Sequence, residues 1–327
     1  MREADDKFHG KPVEQIHVKA NHDIVSLIES WDNMAFNAKR LARACKIYER
    51  MVAESDCVKF FALSGAMVPA GMQSIIYDFI AEGFIDVLVT TGANLTHDLA
   101  EALGDHHLQG YSGENKQMDA HLHDEELNRI YDVFMPNQIY ENMEKWLKSF
   151  SIDKKAPVRE VLRTLGEHLP SQNKSILKIC YEKNIPIYCP AFTDSGLGMQ
   201  LMFLNPGLNL NHFEDLNEMI NTAWDSKKPG VFICGGGVPK NFIFLAMQFS
   251  PNSAKYVVQI TTDVQVSAGG LSSASLSEAV SWGKINEKGE SSQVHADATI
   301  AMPIILSYLK KRKQDGVFKT TQTTLDV

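Results

Sequence analysis

The run IDVLVTTGAN, Ile85 to Asn94, decides the fold. Ile85 to Val89 is apolar except for Asp86, Thr90 and Thr91 bound it, and Gly92 and Ala93 lead into Leu95 to Leu103, which reads as a helix. A short apolar run, a small-residue turn and then a helix is what a buried strand of a parallel sheet looks like. The same unit stands upstream, where Val58 to Leu63, apolar except for Lys59, is bounded by Ser64-Gly65 and followed by helical spacing over Met67 to Ile80. Downstream, Ile185 to Tyr188, Gly230 to Cys234, Tyr256 to Ile260 and Val294 to Ala296 read as further short strands, each followed by a helical or Gly-rich segment. This alternation predicts an α/β fold with a doubly wound, mostly parallel sheet of Rossmann-like type. Its site should be built from loops at the carboxyl ends of the strands.

Ahead of the sheet, Ile24, Leu27, Ile28 and Trp31, then Phe36, Leu41, Ala44, Ile47 and Tyr48, recur at helical spacing and make a helical N-terminal lead-in. Residues 1–20 are polar and largely aperiodic, and are read as an arm that orders against a partner subunit or the body. In the middle, Gly104 to Asp124 is polar, glycine-bearing and histidine-rich, which predicts a mobile loop. Helical patterns follow over Gln138 to Ser149, Pro157 to His168 and Asn173 to Lys183. No repeat, low-complexity tract or linker divides the chain, so 21–312 is expected to be a single domain. Residues 313–327 read as a polar tail, and the basic run Lys310, Lys311, Arg312 and Lys313 as solvated.

With 327 residues, 44% of them hydrophobic, the chain can bury a large core. A formal net charge of −8 argues against nucleic acid, which needs a basic footprint, and suits cationic ligands. Cys45, Cys57, Cys180, Cys189 and Cys234 contain no CxxC pair and are odd in number, so neither a disulfide framework nor a structural zinc site is expected. The charged start lacks a signal peptide's apolar segment and no run reaches membrane-spanning length. A cytoplasmic protein with no membrane partner is expected.

Three stretches carry chemistry. The first is EAVSWGK, Glu278 to Lys284, where a lysine directly follows Trp282 and Gly283. An ammonium held against an indole loses water and some of its proton affinity, and only the neutral amine attacks a carbonyl or imine carbon. Glu278 offers a carboxylate to a cationic substrate. The plainer reading is a capped helix end with a lysine stem lying over an indole. The second is Gly235-Gly236-Gly237, between the strand Val231 to Ile233 and an apolar helix opening near Pro239, where bare backbone N–H groups can face a phosphate. A tight turn would look the same, but Thr91-Gly92-Ala93-Asn94 has the same setting, and two such loops on one sheet point to a dinucleotide. The third is the cluster His106, His107, His121 and His123; because its segment reads as loop, it is expected to be solvated or to contact a subunit, and no metal site is assigned.

VTTGAN (Val89 to Asn94), GGGVPK (Gly235 to Lys240) and EAVSWGK, in this order and spacing within Ala35 to Ile305, resemble the deoxyhypusine synthase family. The resemblance implies an enzyme with NAD as cofactor, touched by Thr91, Gly92, Ala93, Asp194, Gly236, Gly237, Thr262, Ser272, Asp297 and Ala298. It implies that Lys284 forms a Schiff base, with Glu278 and Trp282 beside it. The aminobutyl group of a polyamine such as spermidine would pass through Lys284 to an acceptor amine. That acceptor is either the lysine of the hypusine-bearing translation initiation factor or, in a homospermidine-synthase-like reaction, a small diamine such as putrescine; the family's main activity favours the first. A homo-oligomer, a tetramer by resemblance, with sites shared between subunits is also implied. The chain departs from the family where Met199 and Leu271 replace acidic residues and Asn241 or Phe242 replaces a histidine. Where the family has paired glutamates, this chain has Thr96 and His97, so His97 is expected either to accept a proton in a glutamate's place or merely to pack in its helix.

Overall fold

The computed structural model describes residues 11–111, 113, 115–264 and 273–320. Two helices open the chain, α1 (Ile24–Trp31) and α2 (Phe36–Ala53). The sheet begins with β1 (Lys59–Leu63), a π-helical turn at Val68–Met72, α3 (Gln73–Ala81), β2 (Val87–Thr90) and α4 (Gly92–Ala102). An excursion follows through β3 (Leu108–Gln109), α5 (Lys116–Asp124), β4 (Leu127–Ile130) and β5 (Val133–Pro136), then α6 (Gln138–Leu147), α7 (Val158–His168) and α8 (Ile176–Glu182). The chain returns as β6 (Ile187–Tyr188), α9 (Gly196–Leu204), α10 (His212–Asp225), β7 (Gly230–Cys234), α11 (Gly237–Phe249), β8 (Ala254–Thr261), α12 (Leu276–Ser281), β9 (Ile285–His295) and α13 (Ala298–Gln314).

Six strands form one sheet in the order β6-β2-β1-β7-β8-β9, with every pairing parallel. The first three strands run outward one way and the last three the other, so the order reverses between β1 and β7. That reversal is where a doubly wound sheet opens a crevice at its carboxyl edge. Alternate residues bury opposite faces: Phe61, Leu63 and Phe232 pack with Tyr48 of α2 and Phe79 of α3, while Phe60, Ala62 and Val231 pack with Ile243 and Met247 of α11. Phe61 and Phe232 stack at 4.9 Å across neighbouring strands.

The two charged residues inside otherwise apolar runs answer each other. Lys59 Nζ lies 2.7 Å from Asp86 Oδ2, with side chains 2% and 0% exposed, and tie the amino ends of β1 and β2, away from the crevice.

Three readings are corrected. Gly104 to Asp124 is not simply a loop: among its described residues are β3, which joins a second sheet ordered β3-β5-β4, and the helix α5, capped by Asn115. The last strand is not confined to Val294 to Ala296 but begins at Ile285; as an edge strand it is paired on one side only, so its polar stretch Asn286 to Gln293 carries no apolar signal. The basic run is not a solvated face. It ends α13 and clamps that helix down, Arg312 Nε on Glu49 at 2.7 Å, Lys310 on Asp78 at 2.8 Å and Lys313 on Glu82 at 2.7 Å, while Phe318 beyond it is buried against Phe84. Residues 11–20 are described as irregular chain without helix or strand.

Candidate active site

The loops after β1, β2 and β7 meet at the reversal point. Thr91 caps α4 and its hydroxyl donates to Gly65 O at 2.7 Å; the Ser64 hydroxyl donates to Gly236 O. Asn94 fixes the loop after β1 by accepting from the Met67 and Val68 N–H groups at 2.7 and 3.3 Å. Gly235 has φ +79°, and a Cβ there would stand 3.1 Å from Ser64 Cβ, so the close approach of these two loops requires glycine. Gly236 caps the 13-residue α11, whose first turn carries no acidic side chain, and a Cβ added at Gly237 would meet nothing within 4 Å. Open space above a helix N-terminus of this kind fits a pyrophosphate. Ala93 follows in the first turn of α4, and Gly92 lies so close to Ser195 that the Asp194-Ser195 turn is brought to the same rim. Asp297 and Ala298 open α13, where Asp297 Oδ1 accepts from the Thr299 N–H at 2.7 Å; Thr262 is exposed just past β8. Ser272 and Leu271 lie outside the described residues.

Two hollows open on this rim. A cleft of about 1050 Å³ is lined by Ala66 to Gly71, Glu101, His107, the β4–β5 turn and Asp297. A second, of about 660 Å³, is lined by Asp194, Met199, Met202, Leu208, Leu210 and His212, so the thioether at position 199 stands on an apolar wall. Phe242 is buried against Tyr188 at 6.0 Å and Asn241 is half-buried.

His97 is buried, and its Nδ1 is 2.8 Å from Nε2 of His107, whose Nδ1 is 2.7 Å from Glu101 Oε1. Burial, reinforced by the charge of His107, pushes His97 down to about 4. Burial pushes the Glu101 carboxyl up, but hydrogen bonds from His107 and His106 outweigh it and hold it at about 2. The sequence reading missed Glu101 and placed His107 in a solvated or subunit-contacting cluster, whereas its side chain is 6% exposed and bonded to Glu101 and His97. The available signal was Glu101 one helical turn after His97, with Gly104 turning the chain back. Among the described residues no group of three His, Cys, Asp or Glu side chains is arranged to hold a metal ion.

Lys284 is 7% exposed, with Nζ 5.1 Å from the Trp282 ring, which is itself 54% exposed. Gly283, at φ +69°, ends α12 in a Schellman turn: its N–H donates to Val280 O and that of Lys284 to Ala279 O, both at 3.0 Å, which fixes the lysine's backbone. Burial lowers the proton affinity of Lys284 and the charge of Glu278 opposes it. Glu278 also has a structural duty. Its Oε2 accepts from the Ala274 N–H at 2.9 Å while its own N–H donates to Ser275 Oγ at 3.0 Å, in the manner of a capping box. Lys240, which the sequence reading did not assign, is 1% exposed and donates to Ser273 O at 2.8 Å. Burial, then the charge of Lys284, pull it down to about 8, against Glu278.

The structure thus gathers Thr91, Gly92, Ala93, Asp194, Gly236, Gly237, Asp297 and Ala298 along the carboxyl rim. It does not bring Lys284 beside Asp297, because the two lie before and after β9. The β8 ladder between Ile285 and His295 runs from Ala254 to Thr261, roughly 23 Å at the usual rise per strand residue.

A family model described as deoxyhypusine synthase matches residues 26–309. Similar sequences include a probable deoxyhypusine synthase of Methanosarcina thermophila, 41% identical over 95% of this chain and 98% of its own length. The probable deoxyhypusine synthase 1 of Methanosarcina acetivorans is 42% identical over 92% and 95%. A solved structure of a candidate deoxyhypusine synthase from Entamoeba histolytica matches with TM-score 0.65 at 20% identity, covering 93% of this chain and 97% of that one, a likeness of fold.

Proposed function

This chain belongs to the deoxyhypusine synthase family, and on that premise we propose that it is an NAD-dependent transferase passing a 4-aminobutyl group from a polyamine, through a Schiff base on Lys284, to an acceptor amine. The observation that carries the proposal is a lysine buried beside an indole, with lowered proton affinity, inside the EAVSWGK motif. NAD, when bound, supplies the hydride acceptor for the carbon next to the donor nitrogen and returns the hydride at the end. The loops Thr91 to Asn94 and Gly235 to Gly237 would hold it, with Asp194, Thr262, Asp297 and Ala298 around them.

The side chains do the remaining work. His97, largely neutral at physiological pH, accepts the proton released from the donor nitrogen. Lys284 Nζ adds to the imine carbon and the remainder of the polyamine leaves as a free amine. The acceptor amine then adds to the same carbon, Lys284 departs unchanged, and the new imine is reduced. Burial helps keep Lys284 neutral for the addition, against the opposing charge of Glu278. We take the protein lysine of the hypusine-bearing factor as the acceptor; the apolar wall at Met199 favours the second reading, a small diamine such as putrescine. We also propose that the active protein is a homo-oligomer, a tetramer by family resemblance, in which Lys284 serves the cofactor cleft of a neighbouring subunit. Mixing the protein with NAD and spermidine without acceptor should give a burst of NADH limited to about one per site. No burst with spermidine, homospermidine or agmatine would refute the reading.

A further inference from the structure

The imidazole of His97 is the inner end of a hydrogen-bonded chain that reaches the cleft: His97 Nδ1 to His107 Nε2 at 2.8 Å, then His107 Nδ1 to Glu101 Oε1 at 2.7 Å. Both rings are almost fully buried, their centroids 4.8 Å apart, and only the far end, Glu101 with His107, lines the 1050 Å³ cleft that Asp297 also borders. Glu101 is fixed from several sides, accepting the His107 backbone N–H on Oε1 and His106 Nδ1 on Oε2, each at 3.0 Å. We propose that Glu101 and His107 are positioning residues that set the tautomer of His97 and conduct its proton to the cleft. This rests on the reading of His97 as the proton acceptor.

The chemistry follows from which atoms can donate. An ionised carboxylate only accepts, so the bond at 2.7 Å needs a proton on His107 Nδ1. In the resting state we assign, His107 is neutral and its bare Nε2 can only accept, so the proton of neutral His97 lies on Nδ1; a cationic His107 would instead donate to His97 Nδ1. His97 Nε2 is left as a lone pair, and among the described residues it has no hydrogen-bond partner. A proton taken at Nε2 makes His97 cationic. Its Nδ1 proton then passes to His107 Nε2, and the His107 imidazolium is stabilised by Glu101 until its Nδ1 proton is lost to the cleft. One proton enters and one leaves, with no redox change. The ionised state this requires of Glu101 agrees with its carboxyl being held at about 2.

The test uses the full chain, labelled with ¹⁵N-histidine, and long-range ¹H–¹⁵N NMR to read which ring nitrogen of His97 carries the proton. His97→Leu assigns the signal. The wild type should show the proton on Nδ1 and a bare Nε2, and Glu101→Gln should mix the two tautomers. The same variant should lower kcat for NADH formation from spermidine about 100-fold, the lower range of general acid–base contributions, with KM little changed. His107→Phe, which keeps a ring packed on His97, should lower kcat alike and gives a second reading if Glu101→Gln fails to fold. A wild-type His97 protonated on Nε2, or wild-type kcat in both variants, would overturn the relay. If no amine donor reduces NAD in the wild type, the proposed function fails, while the tautomer reading still decides the relay.

Discussion

Lys284 was legible because its cause is local: Trp282 and Gly283 stand directly before it, and the indole and turn that shape its surroundings are its own neighbours. Lys240 and His107 were not, because what defines them comes from elsewhere in the chain, Ser273 O for the one and Glu101 with His97 for the other. The buried imidazole has a thermodynamic signature. With a folded value of about 4 against an ordinary 6.5, His97 takes up its proton later in the folded state than in the unfolded one as pH falls. Its contribution to stability is therefore intact above 6.5 and lost progressively down to about 4. Asp215, pushed up to about 6 by burial, works the other way in part of the same window, so a difference between variants is needed. We expect wild type to lose more stability than His97→Leu between pH 7 and 4.5 in urea titrations; parallel losses would show that His97 is not held neutral.

At the level of elements, the strand Gly230–Cys234 was legible because both faces of it are buried, and buried strands leave an apolar record. β9 left almost none, since an edge strand keeps a polar side, and the second sheet left none because its strands are four residues or fewer. Lys59 and Asp86 sit inside apolar runs and make sense only once β1 and β2 are paired. Because that ion pair is dry, Lys59→Met leaves Asp86 as an uncompensated buried charge and should cost about 3–5 kcal/mol, whereas Lys59→Met with Asp86→Leu should recover most of the loss. Chemical denaturation measures both. A double variant no more stable than the single would mean that the pair does not act through its charges.

Across the whole molecule, the meeting of loops at the carboxyl rim of the sheet was foreseeable from the order of strands and loops, but the separation of Lys284 from Asp297 was not, since it depends on the length of a strand the sequence concealed. That separation favours a site shared between subunits, and it can be tested by mixing. Lys284→Arg and Gly236→Val, each inactive alone, should regain activity when unfolded and refolded together, because a hybrid holds one intact site made of a sound lysine and a sound cofactor loop. Hybrids that form by native mass spectrometry yet stay inactive would place each complete site within one chain. The central claim, covalent passage of the aminobutyl group through Lys284, is tested most directly by borohydride. Wild-type protein incubated with NAD and spermidine, then reduced, should gain a single aminobutyl mass on the peptide carrying Lys284. Lys284→Arg, whose guanidinium stays protonated, should keep NAD affinity and gain none. An adduct on Lys240, or transfer to acceptor sustained by Lys284→Arg, would contradict it.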